Sequence, residues 1–119
     1  NHSNGAVALE AVRALNRLGW RGDINRLVEA SRHPDPEVVK EVLAGCDRWP
    51  ADDVRPVIVG ALSDPHWDVR VAAVRKIGAT KDPVAIQAVY ERLNMEGDDL
   101  VKEAMEQVLQ MGERKATDD

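Results

Sequence analysis

Residues 64–78 read Asp64-Pro65-His66-Trp67-Asp68-Val69-Arg70-Val71-Ala72-Ala73-Val74-Arg75-Lys76-Ile77-Gly78. The punctuation is that of a helix. An aspartate can cap free backbone N–H groups, a proline costs nothing in the first turn, and a glycine stands at the end. Val69, Ala73, Ile77 and Thr80 fall at offsets of 0, 4, 8 and 11, which is one face of a helix with 3.6 residues per turn.

The same face recurs every 31 residues in both directions. Offset 0 gives Val7, Val38, Val69 and Leu100, and offset 4 gives Ala11, Val42, Ala73 and Ala104. Offset 8 gives Leu15, Cys46, Ile77 and Val108, and offset 11 gives Leu18, Trp49, Thr80 and Met111. Fifteen of these sixteen residues are apolar although apolar residues are only 44% of the chain, so the period is a structural repeat. We term this the B helix of each unit. A shorter periodic segment, the A helix, lies between: Leu27, Ile58 and Val89; Val28, Val59 and Tyr90; Ser31, Leu62 and Leu93.

Seven helices are predicted, near 4–18, 22–31, 35–48, 52–62, 65–78, 83–94 and 98–112, with B helices first, third, fifth and seventh. Asp35-Pro36-Glu37, Asp82-Pro83 and Gly97-Asp98-Asp99 read as helix starts. Pro56 is expected in a first turn capped by Asp52 or Asp53. Gly19, Gly78 and Gly112 are expected at or just past helix ends. The repeat domain is thus expected over residues 1–112, followed by a polar tail at 113–119. Four B helices against three A helices make three and a half units, and the first unit lacks its A helix. The expectation is a fragment of a larger repeat protein.

These residues bring a family into view. The 64–78 stretch resembles the B helix of HEAT repeats, and more narrowly the short HEAT-like repeats first named from phycobilin lyases: Asp-Pro, Val-Arg, a small apolar run, then Leu or Ile with Gly. Asp82-Pro83-Val84-Ala85-Ile86 resembles the start of the next A helix. The resemblance covers about residues 3–112. The family's Arg is replaced by Ala8, Val39 and Val101 in the other units. The resemblance implies an all-α, right-handed α-α superhelix, a HEAT-like solenoid of antiparallel helix pairs whose B helices line a concave surface. It implies a non-enzymatic protein–protein scaffold, with an accessory subunit of a bilin lyase-like enzyme or a structural spacer as alternatives.

Composition narrows the partner. The net charge of −5 argues against a general nucleic-acid binder, which needs a basic surface, and against a polybasic membrane-surface protein. No apolar run approaches the length that spans a bilayer, no signal segment opens the chain, and the single Cys46 excludes an internal disulfide. A cytoplasmic location is the expectation. No cofactor is expected. His2, His33 and His66 lie in turns of successive units, too far apart to converge on one metal ion, and no His-Glu dipeptide matches the HEAT-like di-iron hydroxylases. No phosphate loop, nucleophile elbow or Cys-x-x-Cys is present, and no nucleophile is paired with a base. Cys46 and Trp49 read as core, Trp20 as cover over the first helix junction, and Trp67 as a partner anchor or as packing on a neighbouring turn.

The candidate interface is the B-helix face opposite the core stripe. Leu9, Arg13, Arg17, Lys40, Arg48, Val71, Arg75 and Lys102 lie there at offsets two, six and ten, and Arg beside apolar residues is a common interface composition. A solvated face is the alternative, with Glu10, Glu41 and Glu103 at offset three screening the cations.

Overall fold

The computed structural model describes the backbone of residues 5–118, and side chains in that range other than 21–22 and 112–118. Seven α-helices follow in order: α1 (Gly5–Leu18), α2 (Ile24–Ala30), α3 (Pro36–Ala44), α4 (Ala51–Gly60), α5 (Trp67–Thr80), α6 (Pro83–Leu93) and α7 (Asp99–Asp118). Single 3-10 turns occupy Gly19–Gly22, Cys46–Arg48 and Ala61–Ser63, and the described residues include no strand. The chain is all-α, with each predicted helix found. Two compact units divide it, Asn1–Val57 and Ile58–Asp119, with the boundary inside α4.

In the first unit, α1 packs on α3, and α2 contacts α3 and the 19–22 turn. Asp23 and Asp35 cap α2 and α3 through their side chains, Asp35 accepting from the Glu37 N–H at 2.9 Å. Helix α1 ends because Gly19 (φ 71) and Trp20 (φ 55) both turn left-handed. That conformation costs a side-chain-bearing residue about 1–2 kcal/mol. Trp20 is held in it by complete burial, a tilted contact with Trp49 at 6.1 Å between centroids, and an Nε1–H bond to Asn16 Oδ1 at 2.6 Å. Asn16 in turn donates to the Glu41 carbonyl at 3.0 Å, tying α1 to α3. Cys46 is buried, as its register requires. Helix α4 starts at Ala51, so Pro56 lies beyond its first turn rather than within it. Its missing N–H leaves one carbonyl without a helical partner, tolerable on an exposed face where solvent takes the bond.

In the second unit, α5 packs against α6, α7 and the 61–63 turn. Helix α5 begins two residues later than Asp64-Pro65 predicts, at Trp67, because Asp64 Oδ1 is spent on the turn itself, accepting from the His66 N–H at 2.8 Å. Gly78 does not end the helix. It lies buried inside α5, where a Cβ would stand 3.0 Å from Val108 Cγ2, so it marks the close approach of α5 and α7. The helix ends instead at Lys81, left-handed at φ 59, ψ 28, whose N–H closes on the Ile77 carbonyl at 2.9 Å. This position favours glycine. Lys81→Gly is therefore expected to stabilise the chain by about 0.5–1 kcal/mol, the relief of left-handed strain less the added unfolded-state entropy. Urea denaturation with an unchanged m-value checks it. Asp82 caps α6 at Val84, and Asp98 caps α7 at Leu100 and Val101. Helix α7 continues past Gly112 to Asp118, beyond its expected end at 112.

An ion pair clasps this unit. The Arg70 guanidinium donates to both oxygens of Glu96, Nε to Oε1 at 2.9 Å and Nη2 to Oε2 at 3.0 Å, and Nη1 donates to the Asp64 carbonyl at 2.9 Å. Glu96 Oε2 also accepts the Asp98 N–H at 2.9 Å. The side chain of Glu96 is 1% exposed and that of Arg70 16%. Burial pushes the Glu96 carboxyl up, but the Arg70 hydrogen bond, the Asp98 N–H and the charges of Arg70 and Arg92 outweigh it and hold the group below the ordinary glutamate range. The same hydrogen bond raises Arg70 against the cost of its burial.

The core departs from the predicted stripe in an orderly way. Offsets 0, 4 and 8 are buried in α3 with the turn that follows it (Val38, Val42, Cys46) and in α5 (Val69, Ala73, Ile77). In α1 and α7 the ends of the stripe turn outward: Val7, Leu18, Leu100 and Met111 are exposed, although Val108 is buried. Trp49 is half-buried and Thr80 exposed. The uniformly buried position is offset five, Val12, Leu43, Val74 and Met105, which the stripe omitted. In the A helices Leu27, Ile58 and Val89 are buried, whereas Tyr90 is exposed. Helix α1 packs chiefly on α3, and α7 packs on both α5 and α6, yet each leaves part of its apolar arc exposed.

Candidate functional site

The eight candidate interface residues fall into three groups. Val71 is buried, 8% exposed, and cannot present a side chain to a partner. Helix α5 buries Val69, Val71, Ala73, Val74, Ile77 and Gly78, an arc wider than a single stripe, because α6, α7 and the 61–63 turn contact it from several directions. Leu9 and Lys40 are half-buried, and Lys40 Nζ pairs with Glu37 at 2.7 Å along α3. Arg13, Arg17, Arg48, Arg75 and Lys102 are exposed.

Among these cations, Arg13 is matched internally. Its guanidinium bonds Glu10 at 2.9 Å and lies 3.7 Å from Glu41 on α3, so the screening by offset-three glutamates operates here. Arg17, Arg48, Arg75 and Lys102 form no ion pair among the described residues. The first unit thus presents Arg17 on α1 and Arg48 in the 46–48 turn, and the second presents Arg75 on α5 and Lys102 on α7.

A further exposed apolar set includes three residues that the register had placed in the core. Val84, Tyr90, Met95, Leu100 and Met111 are large apolar residues exposed on α6, α7 and the turn joining them. The register placed Tyr90, Leu100 and Met111 in the core because their equivalents elsewhere are apolar too. Composition carries no sign of the difference, which appears only in the packing of α6 and α7. Trp67, 48% exposed, starts α5 next to His66.

The turn histidines are engaged locally. His33 Nδ1 accepts the Asp35 N–H at 3.0 Å, and His66 Nδ1 lies 2.9 Å from Asp64 Oδ1. His2 lies outside the described residues. Among the described residues no cluster of three or more His, Cys, Asp or Glu could hold a metal ion, and no helix is long and apolar enough to cross a membrane.

Helical hairpins repeating on a 31-residue register, with caps at equivalent turns and a core of small aliphatic residues, define an α-helical repeat module. The profile of HEAT repeats matches residues 24–110, and the chain belongs to the HEAT-repeat family. No curated protein and no solved structure matches it.

Proposed function

We propose that the chain is a non-enzymatic protein-binding scaffold, working in the cytoplasm, that engages an acidic surface of a partner through its B helices. Repeat folds of this kind bind partners over extended helix faces rather than in a single pocket. The observation that carries the reading is the fate of the cations. On a chain with 21 acidic and 16 basic residues, Arg13, Arg26, Lys40, Arg55 and Arg70 are matched to carboxylates. Arg17, Arg48, Arg75 and Lys102 are exposed without such a match. Exposed arginine is over-represented at interface centres.

Arg48→Glu combined with Arg75→Glu tests it. Both side chains are exposed, so the melting temperature is expected to stay within about 2 °C of the parent. Crosslinking capture of partner proteins from a lysate is expected to fall by roughly tenfold or more. Capture equal to that of the parent would move the interface to Trp67 and its turn or to the outer A-helix face. Arg13 is left unchanged in this design because reversing it would crowd three carboxylates around one site.

A further inference from the structure

Helix α1 exposes Val7 and Ala11, whose equivalents on α3 and α5 are buried, and continues the apolar stripe to Leu18. Val7 is 64% and Leu18 60% exposed, and Ala11 between them is exposed as well. The three lie within about 40° of one another around the helix and span about 16 Å of its length. One border of the stripe carries charge. Glu10 and Arg17 lie on it, seven residues and about 20° apart, with opposite signs at opposite ends. The other border, Ala8 and Leu15, is half-buried.

This arrangement is self-complementary in one orientation. When two copies of a helix pack antiparallel, residues of the same border face each other, and positions near one end of the stripe meet positions near the other. Glu10 of each copy then faces Arg17 of the other, twice over, around a seam of Val7, Ala11 and Leu18. A parallel pair would instead set the Glu10 and Arg17 border of each copy against the Ala8 and Leu15 border of the other, with no charge pairing. Arg17 has no carboxylate among the described residues, so it is available for this role. Glu10 is held by Arg13 at 2.9 Å at an exposed site, a contact weak enough to share. The small Ala11 at mid-stripe lets the two backbones approach closely.

The geometry points to α1 as a two-fold self-association surface whose occupant is the α1 helix of a second copy of this chain. The apolar seam supplies the association, and the charge pairs select the antiparallel orientation. The inference shares Arg17 with the protein-binding reading, but its test needs only the purified chain and leaves Arg48 and Arg75 untouched, so the two can fail separately.

Sedimentation equilibrium over about three decades of concentration, from micromolar to millimolar, tests it. The weight-average mass of the parent is expected to rise from the 13.1 kDa monomer toward twice that value. Leu18→Glu, an exposed position, is expected to weaken the dimer by roughly tenfold or more with an unchanged circular dichroism spectrum. Glu10→Arg is expected to weaken it several-fold by setting arginine against arginine, and Glu10→Arg with Arg17→Glu to restore it, a rescue that no role within one chain would produce. A parent that stays monomeric throughout overturns the proposal. So does a dimer indifferent to all α1 variants but lost in Leu100→Glu, which would assign the contact to α7, and so does failure of the paired reversal to restore what the single reversal removes.

Discussion

Ile77→Asp is expected to abolish cooperative unfolding of the second unit. Ile77 is fully buried on α5 at the centre of the repeat register, on a helix that packs against α6, α7 and the 61–63 turn. Its register neighbours Val69 and Ala73 are equally buried, so an aspartate there enters an apolar stripe. Burying an unpaired carboxylate and losing an isoleucine's packing each cost several kcal/mol, so the sum exceeds about 5 kcal/mol, comparable with the whole stability of a small domain. The far-UV helical signal should fall, and hydrogen exchange across α5 and α7 should lose protection. A melting curve that overlays the parent's would mean the register is misplaced.

Glu96→Ala is expected to cost about 3 kcal/mol or more. The substitution leaves the Arg70 guanidinium largely buried with only the Asp64 carbonyl as partner, and breaking a buried pair from one side is more costly than the pair is worth. It also frees the Asp98 N–H from Glu96 beside the start of α7. Glu96→Gln keeps the shape and separates charge from packing through pH. Because the folded-state pKa of Glu96 lies below its unfolded value, its contribution to stability is fully present above the ordinary glutamate range and is lost as pH falls through the depressed value. Arg70 is raised and stays charged throughout that window. The parent's stability should therefore fall on acidification below the ordinary glutamate range by more than that of Glu96→Gln. Parallel curves for the two, measured by urea denaturation at a series of pH values, would show that the pair carries no linked stability.

Arg70 illustrates what a repeat pattern conveys and what it omits. Arg70 stands at the Val-Arg position of the 64–78 signature, and it bonds the turn before its own helix through the Asp64 carbonyl. Its principal partner, Glu96, is 26 residues away in a segment without periodicity. Nothing in the spacing singles Glu96 out among 21 acidic residues. The pairing arises only when α5 and the turn before α7 are packed together.

The sequence by itself determined the helices, their order, the caps at Asp35, Asp82 and Asp98, and the buried lines through α3 and α5, because these follow from short-range chemistry. A capping carboxylate reaches N–H groups two or three residues on, and a 3.6-residue period fixes which residues share a face. Tertiary structure alone decided how much of each face is covered. Offset 0 is buried in α5 as Val69 and open in α7 as Leu100, Val71 is enclosed where Lys102 is exposed, and Arg13 is matched by Glu41 where Arg17 is not. Burial depends on which face of a helix its neighbours cover, and that is a property of its place in the packing, which a residue's own type and spacing do not encode.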